Sequence, residues 1–569
     1  MIVRRVKDEI MRKIIKLGFR YIQKEKYGMY LLVCGIVSAI GIITPLLMGQ
    51  VIDLLTERKD IATFLTMVGS FFLVGVFQQI VILMQNHMSV KLEADAGYAA
   101  NRAFIKKLYH TSYINISKED PVMLNQKLGE DINSVIGFSM AFYRDLIRNI
   151  IFVVCIATVL LLKSPILCLV LFGLAILYGI VYFFMKSRIY EINFQLKQSQ
   201  TSFFGKLYSM IFFMKSIRNN GFEETVFQQQ DKEYKDYYKI LNRQVSVNNR
   251  FDTMVNLISL MAQGLLFFIG GKMVWENRLS IGVLVAILNY FSVLLQSTDY
   301  FLNLGQSYQD TLSSYNRLMP YDQVEQIKDG WRKPEQIERI ELKEVEFCYP
   351  KQDTLFCINQ KIERGKVYWI KGKNGTGKSS FMNILLGLFG HDYSGCITMN
   401  KIPMEEINTG YMVEHDIAII EQEPYLLADT LRKNMLCKSD SAKTQENEEE
   451  LKRLLTLFEM DEFVKKQPQG LDTVYNSMNT TMSGGEKQKI AVIRMLLSKA
   501  RFWLMDEPTS ALDVNSTKHF YEEIERHRKD HIIVLISHEK PIAYDSIIEM
   551  ERFFSERDYC DEFAFLKYC

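Results

Sequence analysis

No two of the nine cysteines in this 569-residue chain stand at C-x-x-C spacing. That absence leaves structural zinc and a disulfide framework without a pattern to rest on. Cys34, Cys155 and Cys168 sit inside apolar runs, and Cys348, Cys357, Cys396 and Cys437 lie in a more polar half. Reduced thiols in a cytosol-facing protein are the expectation. A net charge is nearly lacking too: the formal value of +2 gives no reason to expect a nucleic-acid partner or an acidic substrate. A secretory leader is not expected either, because Arg4, Arg5, Lys7, Asp8, Glu9, Arg12 and Lys13 interrupt any apolar core. Residues 11–20 read instead as a basic amphipathic helix lying on a membrane surface. With no Cys ahead of Cys34, a preceding cysteine peptidase is not expected either.

Long apolar runs, by contrast, crowd the first 305 residues. Six of them reach the roughly 20 residues a helix needs to cross a bilayer: residues 30–55, 62–84, 142–162, 165–185, 254–275 and 281–300. Connections after the first, third and fifth are short, whereas those after the second and fourth are long and rich in Lys and Arg. Basic connections favour the cytosol, so the N-terminus, both long connections and the C-terminal half are expected inside. Each long connection reads as helix, break, helix. One break falls at residues 115–121 and the other at Asn219-Asn220-Gly221. Gln78, Gln79, Gln263 and Asn289 within the spans can bond between helices or face a cavity. Arg144, Arg148 and Asp299 lie near inner span ends, where they can line a cavity or reach the interface.

From about Arg339 the pattern turns to short β-rich runs, turns and helices. The apolar strand Val367–Lys371 runs into Gly372-Lys373-Asn374-Gly375-Thr376-Gly377-Lys378-Ser379, followed by Ser380 and a helical run. This is the P-loop between its required strand and helix. Its backbone N–H groups and helix N-terminus cradle phosphate, Lys378 bridges the β- and γ-phosphates, and Ser379 offers its hydroxyl to Mg²⁺. A second apolar strand, Phe502–Met505, ends in Asp506 and Glu507. Asp506 is expected to hold Mg²⁺ through water, and Glu507 to polarise the attacking water. His538 closes a third apolar run at the strand end where sheet ligands gather.

These residues resemble the ATP-binding cassette, and the whole chain resembles a half-transporter of the ABC exporter class. Met482-Ser483-Gly484-Gly485-Glu486 is similar to that family's L-S-G-G-Q signature, and residues 506–513 join the carboxylate pair to its D-loop. Gln422 matches the Q-loop, and Tyr349 the aromatic that stacks on adenine. The resemblance implies a multidomain membrane protein: an all-α six-helix transmembrane domain of the type I exporter kind, plus an α/β P-loop NTPase cassette. The divisions are an elbow helix (1–27), the transmembrane domain (28–320), a linker (321–338) and the cassette (339–569).

It also implies ATP and Mg²⁺ as cofactors, with Ser379, Gln422 and Asp506 as metal contacts. Glu507, His538 and Gln422 form the catalytic set. Tyr349, Gly372, Asn374–Ser380, Ser483–Glu486 and Asp513 would contact ATP. Two cassettes would meet head to tail, each nucleotide lying between one P-loop and the other chain's Ser483 and Gly485. A second copy is the preferred partner and a related chain the alternative. The two breaks would be coupling helices.

Met482 and Glu486 depart from the signature, residues 476–479 replace a G-E-R-G-like segment, and the tail at 558–565 is aromatic-rich. The expected activity is ATP-driven export across the cytoplasmic membrane, with membrane lipid as its surroundings. A peptide, modified or antimicrobial, is the leading substrate, ahead of an amphiphilic drug or lipid. The alternative is a nucleotide-gated sensor or channel, against which the catalytic carboxylate Glu507 argues.

Overall fold

The protein is seen in a computed structural model that describes residues 2–57, 60–117, 121–324, 326–327, 329–334, 336–349, 355–439, 444–475 and 482–550. Two units divide the chain: residues 1–105 with 121–323, and residues 106–120 with 324–569. The stretch 476–479 and the tail 558–565 lie outside the described residues.

The first unit is helical: α1 (Ile2–Phe19), α2 (Lys24–Thr56), α3 (Ile61–Tyr109), α4 (Pro121–Lys163), α5 (Pro165–Phe212), α6 (Met214–Asn219), α7 (Glu223–Trp275) and α8 (Ile281–Asp322). Six of these helices are long and apolar enough to cross a membrane. The 53 residues of α7 make a rod of roughly 80 Å at about 1.5 Å per residue, well beyond the ~30 Å of a hydrocarbon core. The apolar spans therefore continue unbroken into the long connections. The first break is real: α3 stops at Tyr109 and α4 starts at Pro121, a residue favoured in a helix's first turn. The second falls after Asn219, where Gly221 takes φ +67°.

Packing among the helices rests on close approach and on buried polar pairs. Gly49 of α2 meets Gly282 of α8 so tightly that a Cβ on Gly282 would lie 1.8 Å from the Gly49 carbonyl oxygen. Beside them the Asp53 carboxylate accepts the Gly282 N–H and the Ser280 hydroxyl, both at 2.7 Å, while Ser280 caps α8. Asp131, buried on α4, accepts from Arg317 Nε of α8 at 2.8 Å. Arg144 pairs with its neighbour Asp145 at 2.7 Å and donates to Tyr30. Gln78 accepts from Thr44 at 3.4 Å, the between-helix role, whereas Asn289 donates to Val285 of its own helix. In the second arm Phe203 stacks on Tyr237 at 5.3 Å.

The second unit holds β1 (Arg339–Phe347), β2 (Phe356–Glu363), β3 (Val367–Gly372), α9 (Lys378–Leu385), β4 (Ser394–Met399), β5 (Ile402–Pro403), α10 (Thr409–His415), β6 (Ile417–Ile420), β7 (Asp429–Thr430), α11 (Leu431–Leu436), α12 (Thr444–Leu457), α13 (Asp461–Lys466), β8 (Val474–Tyr475), α14 (Gly484–Leu496), β9 (Phe502–Asp506), α15 (Val514–His527), β10 (Ile532–Ile536) and β11 (Ser546–Met550). A parallel sheet runs β11-β3-β10-β9-β6, and an antiparallel one runs β2-β1-β4-β5. The strand β10 is buried over its whole length, which explains its unbroken Ile/Val/Leu run.

The first arm's tip belongs to this unit. Tyr113 N–H donates to Leu388 O at 2.8 Å, Ser112 Oγ to Asp392 at 2.6 Å, and Ile327 N–H to His110 O at 2.7 Å. Ile114 is buried in the same core as Phe389. Six of the described cysteines, Cys34, Cys155, Cys168, Cys348, Cys357 and Cys437, are free.

Gly282→Ala should lower the apparent unfolding temperature of the chain in nanodiscs, by an overpacking cost of about 1–3 kcal/mol. The neighbouring Ser280→Ala, which removes the cap bond and the bond to Asp53 without adding bulk, should shift it less.

Candidate functional site

The carboxyl ends of β3, β9 and β10 converge because their parallel ladder aligns them. Ile536 faces Ile370 on one side and Asp506 on the other. Ligands of parallel α/β sheets bind at such ends.

From β3 the chain turns through Gly375 at φ +80° and Gly377 at φ +91°. Gly377 caps α9 in the left-handed region, and a Cβ there would lie 2.7 Å from the Phe356 ring, so glycine is required twice over. Lys378 Nζ folds back onto the loop, donating to Gly372 O at 2.8 Å and Lys373 O at 3.1 Å. Thr376 Oγ1 donates to Lys373 O at 2.9 Å and is buried, whereas Asn374 is exposed. The result is a ring of backbone closed by an ammonium at a helix N-terminus, a geometry suited to phosphate.

Ser379 Oγ donates to Asp506 Oδ2 at 3.4 Å. Burial, and then the negative charge of Glu507, push the Asp506 carboxyl above the usual carboxylate range, against the pull of Ser379, Lys378 and His538. Among the described residues no cluster of three or more His, Cys, Asp or Glu could hold a metal alone. A hydroxyl and one carboxylate are nonetheless a fitting donor set for Mg²⁺, which keeps several waters and shares phosphate oxygens.

Glu507 takes φ +48°, a left-handed conformation unusual for a side chain of its size. Its backbone is held on both sides: its N–H donates to Ile536 O at 3.0 Å, and its carbonyl accepts from Gln488 Nε2 at 2.7 Å. Its carboxylate meets His538 Nε2 at 3.1 Å through one oxygen and accepts from Gln422 Nε2 at 3.3 Å through the other. Gln422, Glu507 and His538, far apart in sequence, thus form one constellation beside the P-loop. Tyr349 stands at the loop's other flank, its hydroxyl 3.0 Å from Ser380 Oγ and its ring edge-on to Phe347 at 5.0 Å.

The signature residues form a second group. Ser483 is the N-cap of α14, and Gly484 and Gly485 are its first residues. A reciprocal capping box joins Ser483 to Glu486: the Ser483 N–H donates to the Glu486 carboxylate at 2.7 Å, and the Glu486 N–H to Ser483 Oγ at 3.3 Å. Asp513 caps α15 and pairs with Lys489 of α14 at 2.7 Å. Burial opposes its ionisation, but Lys489 and the Ser516 N–H and hydroxyl outweigh it, holding this carboxyl below the usual range.

Sequence reasoning missed what joins the two groups. Gln488 is 1% exposed; besides the Glu507 carbonyl it accepts the Ala511 N–H at 2.7 Å and reaches Ser510 Oγ at 3.4 Å. A signal was present: Gln488 shares the helical spacing of Ala491, Val492 and Met495, an amide on a buried apolar face. Trp369 of β3 was missed as well. Its Nε1 donates to Ser537 O at 3.0 Å and fixes the segment that carries His538.

Comparison with known proteins agrees with this layout. Residues 27–298 match the family description "ABC transporter transmembrane region" and residues 355–510 match "ABC transporter". The ABC transporter B family member 1 of Dictyostelium discoideum is 27% identical over 57% of the chain and 36% of its own length. The ATP-dependent lipid A-core flippase of Escherichia coli (strain K12) is 27% identical over 56% of the chain and 55% of its own. The chain thus spans about half or less of these curated relatives. A solved bacterial Atm1-family ABC exporter with ATP bound superposes with a TM-score of 0.74 over 93% of each chain at 17% identity, a likeness of fold.

Replacing Gln488 by Leu leaves the Ala511 N–H without its partner and takes one donor from the Glu507 carbonyl, which keeps Ser510. The loss should be about 1–3 kcal/mol of local stability, read as faster amide exchange at residues 507–511 and a lower unfolding temperature.

Proposed function

The chain belongs to the ABC transporters, with transmembrane region and cassette in one polypeptide, and from that premise we propose that it is an ATP-driven exporter of the cytoplasmic membrane that works as a pair. The observation that carries this reading is the Glu507 carboxylate bracketed by Gln422 and His538 next to the P-loop. A cassette that only sensed nucleotide would have no need of a carboxylate so placed.

In the proposed cycle ATP lies on the P-loop with its phosphates among the N–H groups of residues 374–380. Lys378 exchanges its two loop carbonyls for phosphate oxygens. Ser379 and Asp506 would hold Mg²⁺, with Gln422 alongside, and the ion would supply positive charge against that developing on the phosphates. Tyr349 offers its ring to adenine. Glu507 orients a water in line with the γ-phosphate, and His538 stabilises charge on the transferred group. Ser483 and Gly485 of one chain complete the site of the other, so a single chain hydrolyses poorly. A second copy is the preferred partner, since P-loop and signature are both present in this chain.

Force is proposed to leave the cassette through the first arm's tip. That tip is bonded to residues 388–392, just after the P-loop helix, and Phe389 stacks on Phe347 at 5.1 Å, next to Tyr349. ATP binding favours the closed pair and an outward-facing cavity, and hydrolysis resets it. A peptide remains the leading cargo. Its support is the fused, compact layout with aromatic-rich arms.

Two measurements test the reading. In reconstituted vesicles Glu507→Gln should keep ATP affinity while losing nearly all turnover and trapping the closed pair; mutant turnover equal to that of the parent would sink the assignment. Glu486 places a negative charge in the first turn of α14, where the partner's γ-phosphate is to arrive. Glu486→Gln keeps an acceptor for the Ser483 N–H and removes that charge. In the Glu507→Gln background it should lower the ATP concentration for half-maximal pairing roughly two- to fivefold, the scale of a charge at a helix terminus.

A further inference from the structure

A cavity of about 980 Å³ opens between α5, α7 and α8, within the helical unit. Its walls include Lys186, Asp252 and Asp299, which stand at the ends of three apolar spans: just past residues 165–185, just before 254–275 and at the close of 281–300. The cavity therefore sits where the spans meet the cytosolic side, open to what arrives from the cytosol or the inner leaflet.

The charges of this wall are unequal in their freedom. Asp252 takes no hydrogen-bond or ion-pair partner among the described residues. Asp299 accepts from the Tyr178 hydroxyl, which leaves its negative charge in place. Lys186 is the one basic side chain lining the cavity, and its ammonium lies 4.4 Å from the centre of the Phe183 ring. Among the rest, aromatic rings stand beside neutral amides such as Asn248 and Gln244: Phe251 is edge-on to Tyr182 at 6.2 Å, and Phe301 lines the cavity from α8. Carboxylates attract a cation by charge and ring faces attract it by their quadrupole, while the same rings bury apolar groups. An anion meets the Lys186 ammonium but is opposed by the two carboxylates, which leave the described wall with a net charge of −1 from one Lys and two Asp.

We propose that this cavity is an entry site that selects an amphiphilic segment bearing a positive charge, such as a lysine side chain set between apolar residues. The inference rests on the exporter reading and deepens it by naming the class of cargo. A volume of this size takes a few residues at a time, so a longer peptide would present its basic apolar segment first.

The test uses the full-length chain in nanodiscs of zwitterionic lipid, without nucleotide. The probes are two fluorescent N-acetylated tetrapeptide amides, Phe-Lys-Leu-Phe and its Phe-Glu-Leu-Phe twin, with empty nanodiscs as the blank. The lysine probe should bind about tenfold more tightly than the glutamate probe, a single net-charge interaction in a partly screened site. Asp252→Asn should reduce that preference to about threefold or less, and Asp252→Lys should abolish or reverse it. Equal binding of the two probes, or a preference that neither variant changes, overturns the proposal. ATP hydrolysis of the wild-type chain in the same nanodiscs is read separately. Its absence would sink the exporter reading, whereas hydrolysis without charge preference would sink this inference alone.

Discussion

The parallel register of β3, β10 and β9 is the constraint on which the nucleotide site depends. Backbone bonds between buried apolar strands decide which residues end level with one another. Once Ile536 lies opposite both Ile370 and Asp506, the P-loop, the Asp506-Glu507 pair and His538 must share one edge. The Glu507 N–H bonded to Ile536 O then continues the ladder one residue past the strand, so the turn that aims Glu507 is an extension of the sheet. A one-residue slip would turn Asp506 into the core and carry Glu507 to the opposite face.

The left-handed backbone at Glu507 carries a local cost, of order 1 kcal/mol or more, and the surroundings show how it is held. Gln488 spans the turn from the Glu507 carbonyl to the Ala511 N–H, and it stands two residues beyond Glu486 on the helix that Ser483 caps. The first group of site residues is thereby tied mechanically to the second. Under the proposed pairing, a phosphate arriving at the start of α14 would press on the helix whose fifth residue fixes the partner group's hydrolytic turn.

Much of this was legible in the sequence, and the reason is covalent proximity. The P-loop is local: its glycines, lysine and flanking strand lie within a dozen residues. Apolar runs of bilayer length announce themselves in the same way, and so do the breaks at Pro121 and Gly221, which proline and glycine geometry dictates. What stayed hidden depends on contacts between distant segments. Ser112 bonding Asp392 is a partnership across 280 positions, and nothing in residues 106–120 alone tells that they fold with the second unit. Gln488 and Trp369 were missed for a different reason. Each sits on an apolar element where its polar atoms looked incidental, yet a buried amide or indole N–H must find a partner.

The two arm tips differ in a way that bears on pairing. The first is satisfied within its own chain, with Ile114 in an apolar core and its backbone bonded to residues 388 and 389's neighbourhood. The second presents Phe212, Phe213, Met214 and Phe222, all more than half exposed, on either side of a six-residue helix. Contiguous apolar surface of this kind is costly in water and marks a contact. Aromatic stacking along the arm, Tyr208 on Phe212 and Tyr234 on Tyr238, stiffens the shaft but leaves the tip bare. Under the proposed pairing, such a shaft would convey displacement and its apolar end would meet a partner's surface. The two tips thus differ in kind, one bonded within its own chain and the other exposing apolar side chains.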